Sequence, residues 1–219
     1  MGLLEIFKRK VKSTTENFDV KTDFKIQLDI VEKAVFAKLK PLGFKKNGRT
    51  FNRRLEGGII QVINFQSERY SSEKFIVNLG VCVESLFKFQ FQTESKKYYK
   101  EYECQIRDRL GILLTGEDYW WTITNDNRKI TEEIIVGLET KGFEWFSGVE
   151  TKEKIISNYG HFPYDSSPRT KLDIALIVWF DNKLEGAKLF REYYNEIKPA
   201  KSSHKYYVKD LAKELNIEL

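Results

Sequence analysis

Histidine, cysteine, methionine and proline are all scarce in this chain of 219 residues, with 2 His, 2 Cys, 1 Met and 4 Pro. Each shortage excludes something. His161 and His204 stand far from each other and from either cysteine, so no C-x-x-C or H-x-x-x-H ligand pair exists and no zinc or other metal site is expected. The same shortage leaves Ser-His-Asp and Cys-His catalysis without a placed imidazole. His161, in Tyr159-Gly-His-Phe-Pro, reads as a loop residue before a general base. Proline is too rare for a low-complexity linker protein, and 41% hydrophobic residues are too many for a disordered tail. No apolar run approaches the roughly 20 residues of a membrane span. Glu5, Lys8, Arg9 and Lys10 break up any secretory leader near Met1. The expected location is cytoplasmic. Cys82 and Cys104 then read as reduced, buried small hydrophobes, with one disulfide between neighbouring strands as the alternative. The phosphate loop G-x-x-x-x-G-K-[ST], the G-x-G-x-x-G fingerprint and the G-x-S-x-G elbow are all missing, so no cofactor is called for.

What is present is a change of hydrophobic period along the chain. Gly2–Val11 is short, basic and amphipathic, and reads as a packing arm before a membrane-surface helix. Phe24, Leu28, Val31, Val35 and Leu39 form one helical stripe, with Thr22 or Asp23 to cap it and Pro41 and Gly43 to stop it. The period then falls to two, which predicts strands near Thr50–Arg54, Gly58–Gln66, Lys74–Val83, Tyr102–Arg107 and Tyr119–Thr124. Glu56-Gly57-Gly58 suits a hairpin turn. Ser85–Lys100, aromatic and basic, shows no clear period. Asn127–Lys141 is helical again, with Ile130, Ile134 and Leu138 in register. The run Ile174–Phe180 is ambiguous, but Thr170, Asp173 and the later stripe Leu184, Ala187, Phe190, Tyr194 and Ile197 favour a helical hairpin. Val208, Leu211, Ala212 and Leu215 mark a last helix. Short connections favour an antiparallel meander of about five strands. The expected fold is therefore α+β: a sheet domain over 1–149, flanked by helices, with a helical subdomain over 150–219 packed on it.

Charge is local. Residues 1–60 hold 14 Lys plus Arg against 7 Asp plus Glu, whereas residues 61–219 hold 23 against 25. The densest stretch, Lys38–Arg54, has 7 cations and no acid: Lys38, Lys40, Lys45, Lys46, Arg49, Arg53 and Arg54. Such a patch suits phosphates or an acidic protein, although a solvated basic face also explains it. Carboxylate pairs such as Glu117-Asp118 and Glu132-Glu133 are unspecific as acid/base pairs. Polar residues inside strands are more unusual. Asn64 and Gln66 share one face of a strand, and Asn78 sits among apolar neighbours on the next. If those faces coincide, amides gather beside Arg49 or Arg53 and suit a peptide backbone or a small polar ligand. Bulges and strand ends satisfied internally are the plainer explanation. In Trp120-Trp121 one ring is expected in the core and the other at a second layer or an interface.

Five segments in series resemble a known family. They are Leu39–Phe51, Ile60–Gln66, Phe75–Gly80, Gln105–Gly111 and Tyr119–Trp121, and together they resemble the uncharacterised bacterial family called domain of unknown function 4304 over about residues 24–145. The resemblance implies a small bacterial cytoplasmic α+β domain and no reaction. Its matching positions are Gly43, Phe44, Arg49, Phe51, Gln66, Asn78, Gly80, Arg107, Arg109, Leu110, Gly111 and Trp121.

The leading expectation is a non-enzymatic macromolecular interaction module with another protein as partner, in one version a toxin-immunity or accessory protein. One alternative is a small-ligand receptor or enzyme with a polar pocket on the sheet face, drawn from Arg49, Arg53, Asn64, Gln66, Asn78, Arg107 and Trp120. The other is nucleic-acid binding through Lys38–Arg54.

Overall fold

Helix α1 opens the architecture at residues 24–39, because its stripe is buried where the period requires: Leu28, Val31, Val35 and Leu39 are at most 2% exposed. The computed structural model describes residues 24–68, 73–124, 126–158, 170–199 and 203–219. The expected arm Gly2–Val11, the capping residues Thr22 and Asp23, and the loop residue His161 lie outside them. After α1 a single 3₁₀ turn, Lys40–Leu42, closes with the Gly43 N–H donating to Lys40 O.

The sheet has the order β1-β2-β3-β4-β5, with β6 pairing β4. Its strands are β1 Lys45–Asn47, β2 Thr50–Arg54, β3 Ile59–Ser67, β4 Lys74–Val83, β5 Ile106–Arg109 and β6 Trp121–Thr122. It is the expected antiparallel meander of five strands, with one more on β4. Strand β1 is an addition to the sequence reading. It pairs antiparallel with β2 in the register Asn47↔Thr50, so Gly48 and Arg49 form a two-residue turn. Gly48, with φ 57°, holds the first central position, where a II′ turn takes glycine. β4 is buried on both faces from Phe75 to Val83, and β6 lies against its start with Phe75↔Trp121.

One expected strand, Tyr102–Arg107, is displaced. Glu101–Glu103 is a 3₁₀ turn, and β5 begins only at Ile106. The Glu103 carboxylate accepts from the Lys100 N–H at 2.9 Å, which holds that turn in place of extended chain. The stretch after β4 is helix α2, Glu84–Phe91.

The remaining helices are α3 Leu110–Thr115, α4 Arg128–Gly137, α5 Phe143–Ser147, α6 Lys152–Asn158, α7 Thr170–Asp181, α8 Lys183–Ile197 and α9 Ser203–Glu214. A π-helical turn, Leu138–Gly142, joins α4 to α5. The apolar run Ile174–Phe180 is helical, inside α7. Asn182 caps α8, its side-chain oxygen accepting from the Glu185 N–H at 3.2 Å. A Cβ on Gly186 would fall 2.3 Å from Trp179 Cα, so glycine is what lets α8 approach α7 so closely.

The chain divides into two compact units. The first takes residues up to Arg53, Val62–Leu79 and Asp108–Glu144; the second takes Arg54–Gln61, Gly80–Arg107 and residues from Trp145 onward. In the first, a ladder of rings crosses one sheet face: Phe36–Phe51 at 5.4 Å, Phe51–Phe65 at 5.6 Å, Phe65–Phe75 at 5.9 Å and Phe75–Trp121 at 6.0 Å between centroids. In the second, Tyr99 is fully buried against Phe87 at 4.9 Å. Tyr99 donates to Glu84 at 2.7 Å, and Arg54 donates to the other Glu84 oxygen at 2.7 Å. Burial pushes the Glu84 carboxyl up, but those hydrogen bonds outweigh it and hold the group below its ordinary value.

Candidate functional site

Four of the seven cations in Lys38–Arg54 are engaged inside the protein. Lys46 pairs with Glu32 on α1 at 2.7 Å and lies over the Phe51 ring. Arg49 Nε approaches the second Glu32 oxygen at 3.1 Å, as an ion pair and not an aligned hydrogen bond, and Arg49 Nη1 donates to Ser67 Oγ at 2.6 Å. Glu32 is 2% exposed. Burial raises its carboxyl, and the two cations only partly offset that. Arg53 lies over the Phe44 and Phe143 rings and donates to Leu42 O at 3.3 Å. Arg54 is held by Glu84. Lys38, Lys40 and Lys45 are exposed, with no carboxylate partner among the described residues.

The strand amides do meet. Asn64 Nδ2 donates to Thr50 Oγ1 at 2.9 Å and to Arg49 O at 3.3 Å. Asn78 Nδ2 donates to Gln66 Oε1 at 2.9 Å and to Asn64 Oδ1 at 3.4 Å. Strand alternation puts these amides on the face opposite the ring ladder. The Arg49 guanidinium, bound to Glu32 and Ser67, belongs to the ladder side; only its main-chain carbonyl joins the amides. Arg107 lies in the second unit and pairs with Glu101 at 3.5 Å. Trp120 is half-buried, donates from Nε1 to Asp118 at 3.2 Å and lies beneath Arg109. Trp121 is the core ring of the pair, 1% exposed. The polar side chains singled out in the sequence therefore occupy several places, and the amides that meet bond both to one another and to Thr50 and the Arg49 carbonyl.

A different feature of the first unit is open. Val35, Lys38, Leu39, Leu42, Ile135, Leu138, Glu139 and Phe143 line a shallow groove of about 220 Å³, part of it open to solvent. Helix α1 forms one wall and the π turn the other. In its lining Leu42 is 46% exposed. Arg53 braces it from below through Phe143 and Leu42 O. Single π turns inside α-helices recur at functional sites, because the extra residue redirects the side chains that follow. Sequence reasoning missed this groove. Its available signal was the spacing from Ile134 and Leu138 to Phe143, which breaks the three-and-four rhythm with a step of five.

The segment carrying the groove and the amides matches a family model, Domain of unknown function (DUF4304), over residues 35–148. That is more than half of the chain. The chain belongs to this family. Every residue lining the groove, and every member of the amide cluster, lies inside the DUF4304 match. No curated protein and no solved structure matches the chain. Among the described residues no group of His, Cys, Asp and Glu is placed to hold a metal ion, and no helix is long and apolar enough to cross a membrane.

Elsewhere in the first unit Asp108, on β5, is 4% exposed. One of its oxygens accepts from the Arg109 N–H at 2.7 Å; the other is buried without a partner. Burial raises its carboxyl, and the Arg109 bond lowers it only in part. In the second unit Cys82 and Cys104 are free buried thiols, both pushed up by burial. The disulfide alternative is thereby set aside.

Proposed function

We propose that this DUF4304 protein is a non-enzymatic macromolecular interaction module that binds another protein in the bacterial cytoplasm. A toxin-immunity or accessory role is one form of that reading. The observation that carries it is the groove between α1 and the π turn, an apolar recess whose lining exposes Leu42 instead of burying it. Two facts support it. The sheet amides bond to one another, to Thr50 and to the Arg49 carbonyl, and the Arg49 guanidinium is directed to Glu32, so the polar heads that a small substrate would need point apart. The free thiols suit a reducing compartment. Nucleic-acid binding draws less support, because Lys46, Arg49, Arg53 and Arg54 have partners within the chain.

The test is site-specific photo-crosslinking in the native cells, with the crosslinker at Leu42 and, as control, at exposed Lys209. A discrete protein adduct formed from position 42 and not from position 209 is the expected result. Absence of any position-specific protein adduct overturns the reading.

A further inference from the structure

We infer that the groove receives an aliphatic side chain from an acidic segment of the partner protein. This deepens the proposed function and rests on it. The lining supplies six apolar side chains, Val35, Leu39, Leu42, Ile135, Leu138 and Phe143, and no hydrogen-bonding group among them, so the part of the occupant that enters is apolar. The recess is shallow and open to solvent, so it offers a contact surface to an apolar side chain laid against it, with Leu42 as its exposed apolar residue.

The flanking charge follows from which cations are committed. Of the basic run, the four residues with internal partners offer an incoming carboxylate the least. Lys38 lines the groove and Lys40 begins the 3₁₀ turn that carries Leu42; both are exposed and lack a carboxylate partner among the described residues. Carboxylates beside the apolar anchor would meet these two ammonium groups, which strengthens encounter and selects against basic segments. Glu139, on the π turn, is the one acid in the lining and repels a carboxylate there. The acidic flank of the occupant is therefore placed on the α1 side, a polarity that a purely apolar contact would not impose.

The experiment uses the full chain and two pools of short fluorescent peptides, read by polarisation. One pool carries a single Leu among Asp, Glu and Ser; the other carries Lys in place of the acids. The expected result is binding of the acidic pool only, weakening as salt rises. Replacing the peptide Leu by Ser, or using Lys38→Glu/Lys40→Glu protein, should weaken binding roughly tenfold. Circular dichroism should show that protein variant folded, since both positions are exposed; a second variant, Leu42→Ser, should weaken binding with no change in its salt dependence. Equal binding of both pools, or binding indifferent to both variants, overturns the inference. So does displacement of the peptide by single-stranded oligothymidylate, which would assign the rim to nucleic acid. Should the Leu42 crosslinker still capture its partner while the acidic pool fails to bind, the inference falls and the interaction reading stands. Loss of both removes the reading itself.

Discussion

The guanidinium of Arg49 lies 3.1 Å from the carboxylate of Glu32, a residue only 2% exposed. A buried charge left without its partner costs far more than the intact pair contributes. Arg49→Met should therefore lower stability by about 2 kcal/mol in a urea titration, Lys46 remaining to compensate in part. Adding Glu32→Gln should recover most of the loss. An unchanged denaturation midpoint in Arg49→Met would show that the pair is not structural.

Asp108 makes stability depend on pH. Its folded carboxyl is raised by burial, so protonation favours the native state: its contribution is most favourable below the ordinary carboxyl range and is lost as pH rises through the raised value. Asp108→Asn keeps the oxygen that accepts from Arg109 and removes the charge. The variant should be more stable than the parent by about 1 kcal/mol at neutral pH, and the difference should vanish on acidification toward the ordinary Asp range. A constant difference across that range would refute the assignment.

Gly186 tests the helical hairpin. A methyl there would meet main-chain atoms of Trp179, which cannot rotate away as a side chain can. Gly186→Ala is expected to cost about 3 kcal/mol despite the better helix propensity of alanine. Thermal unfolding by circular dichroism measures it, and a neutral or stabilising result would mean that α7 and α8 sit further apart.

The thiols give a chemical readout. Cys82 is 0% and Cys104 7% exposed, and burial raises both above the ordinary thiol value. A thiol-specific chromogen should react with neither in the folded protein at neutral pH and with both in denaturant. Rapid reaction of either before unfolding would contradict the packing.

Much of this architecture was legible because one rule governed each stretch. Strand β4 has the bounds its alternation indicates, Lys74–Val83, since ten residues of regular period leave little choice. Helix α1 and the α7–α8 hairpin follow from stripes reinforced by caps and stops. The failures lie where neighbours compete. Strand β1 is two lysines and an asparagine, with no pattern of its own, and exists because the Gly48 turn folds it against β2. In α2, Phe87, Phe89 and Phe91 alternate as a strand would, and tertiary packing of Leu86 and Phe87 decides for helix. Of the candidate site, the meeting of Asn64, Gln66 and Asn78 was readable from alternation. The direction of the Arg49 side chain was not, because it depends on Glu32 some seventeen positions earlier in the chain. Nor was the groove, whose apolar residues look like ordinary core positions until the π turn displaces them.

That turn makes the recess depend on counting as much as on composition. In a regular helix each residue advances the azimuth by about 100°. Excising one residue between Leu138 and Gly142 would restore an unbroken α-helix and swing Phe143 about a quarter of a circle from the wall it now completes. A shortened relative with identical apolar content would thus keep its core and forfeit the cleft.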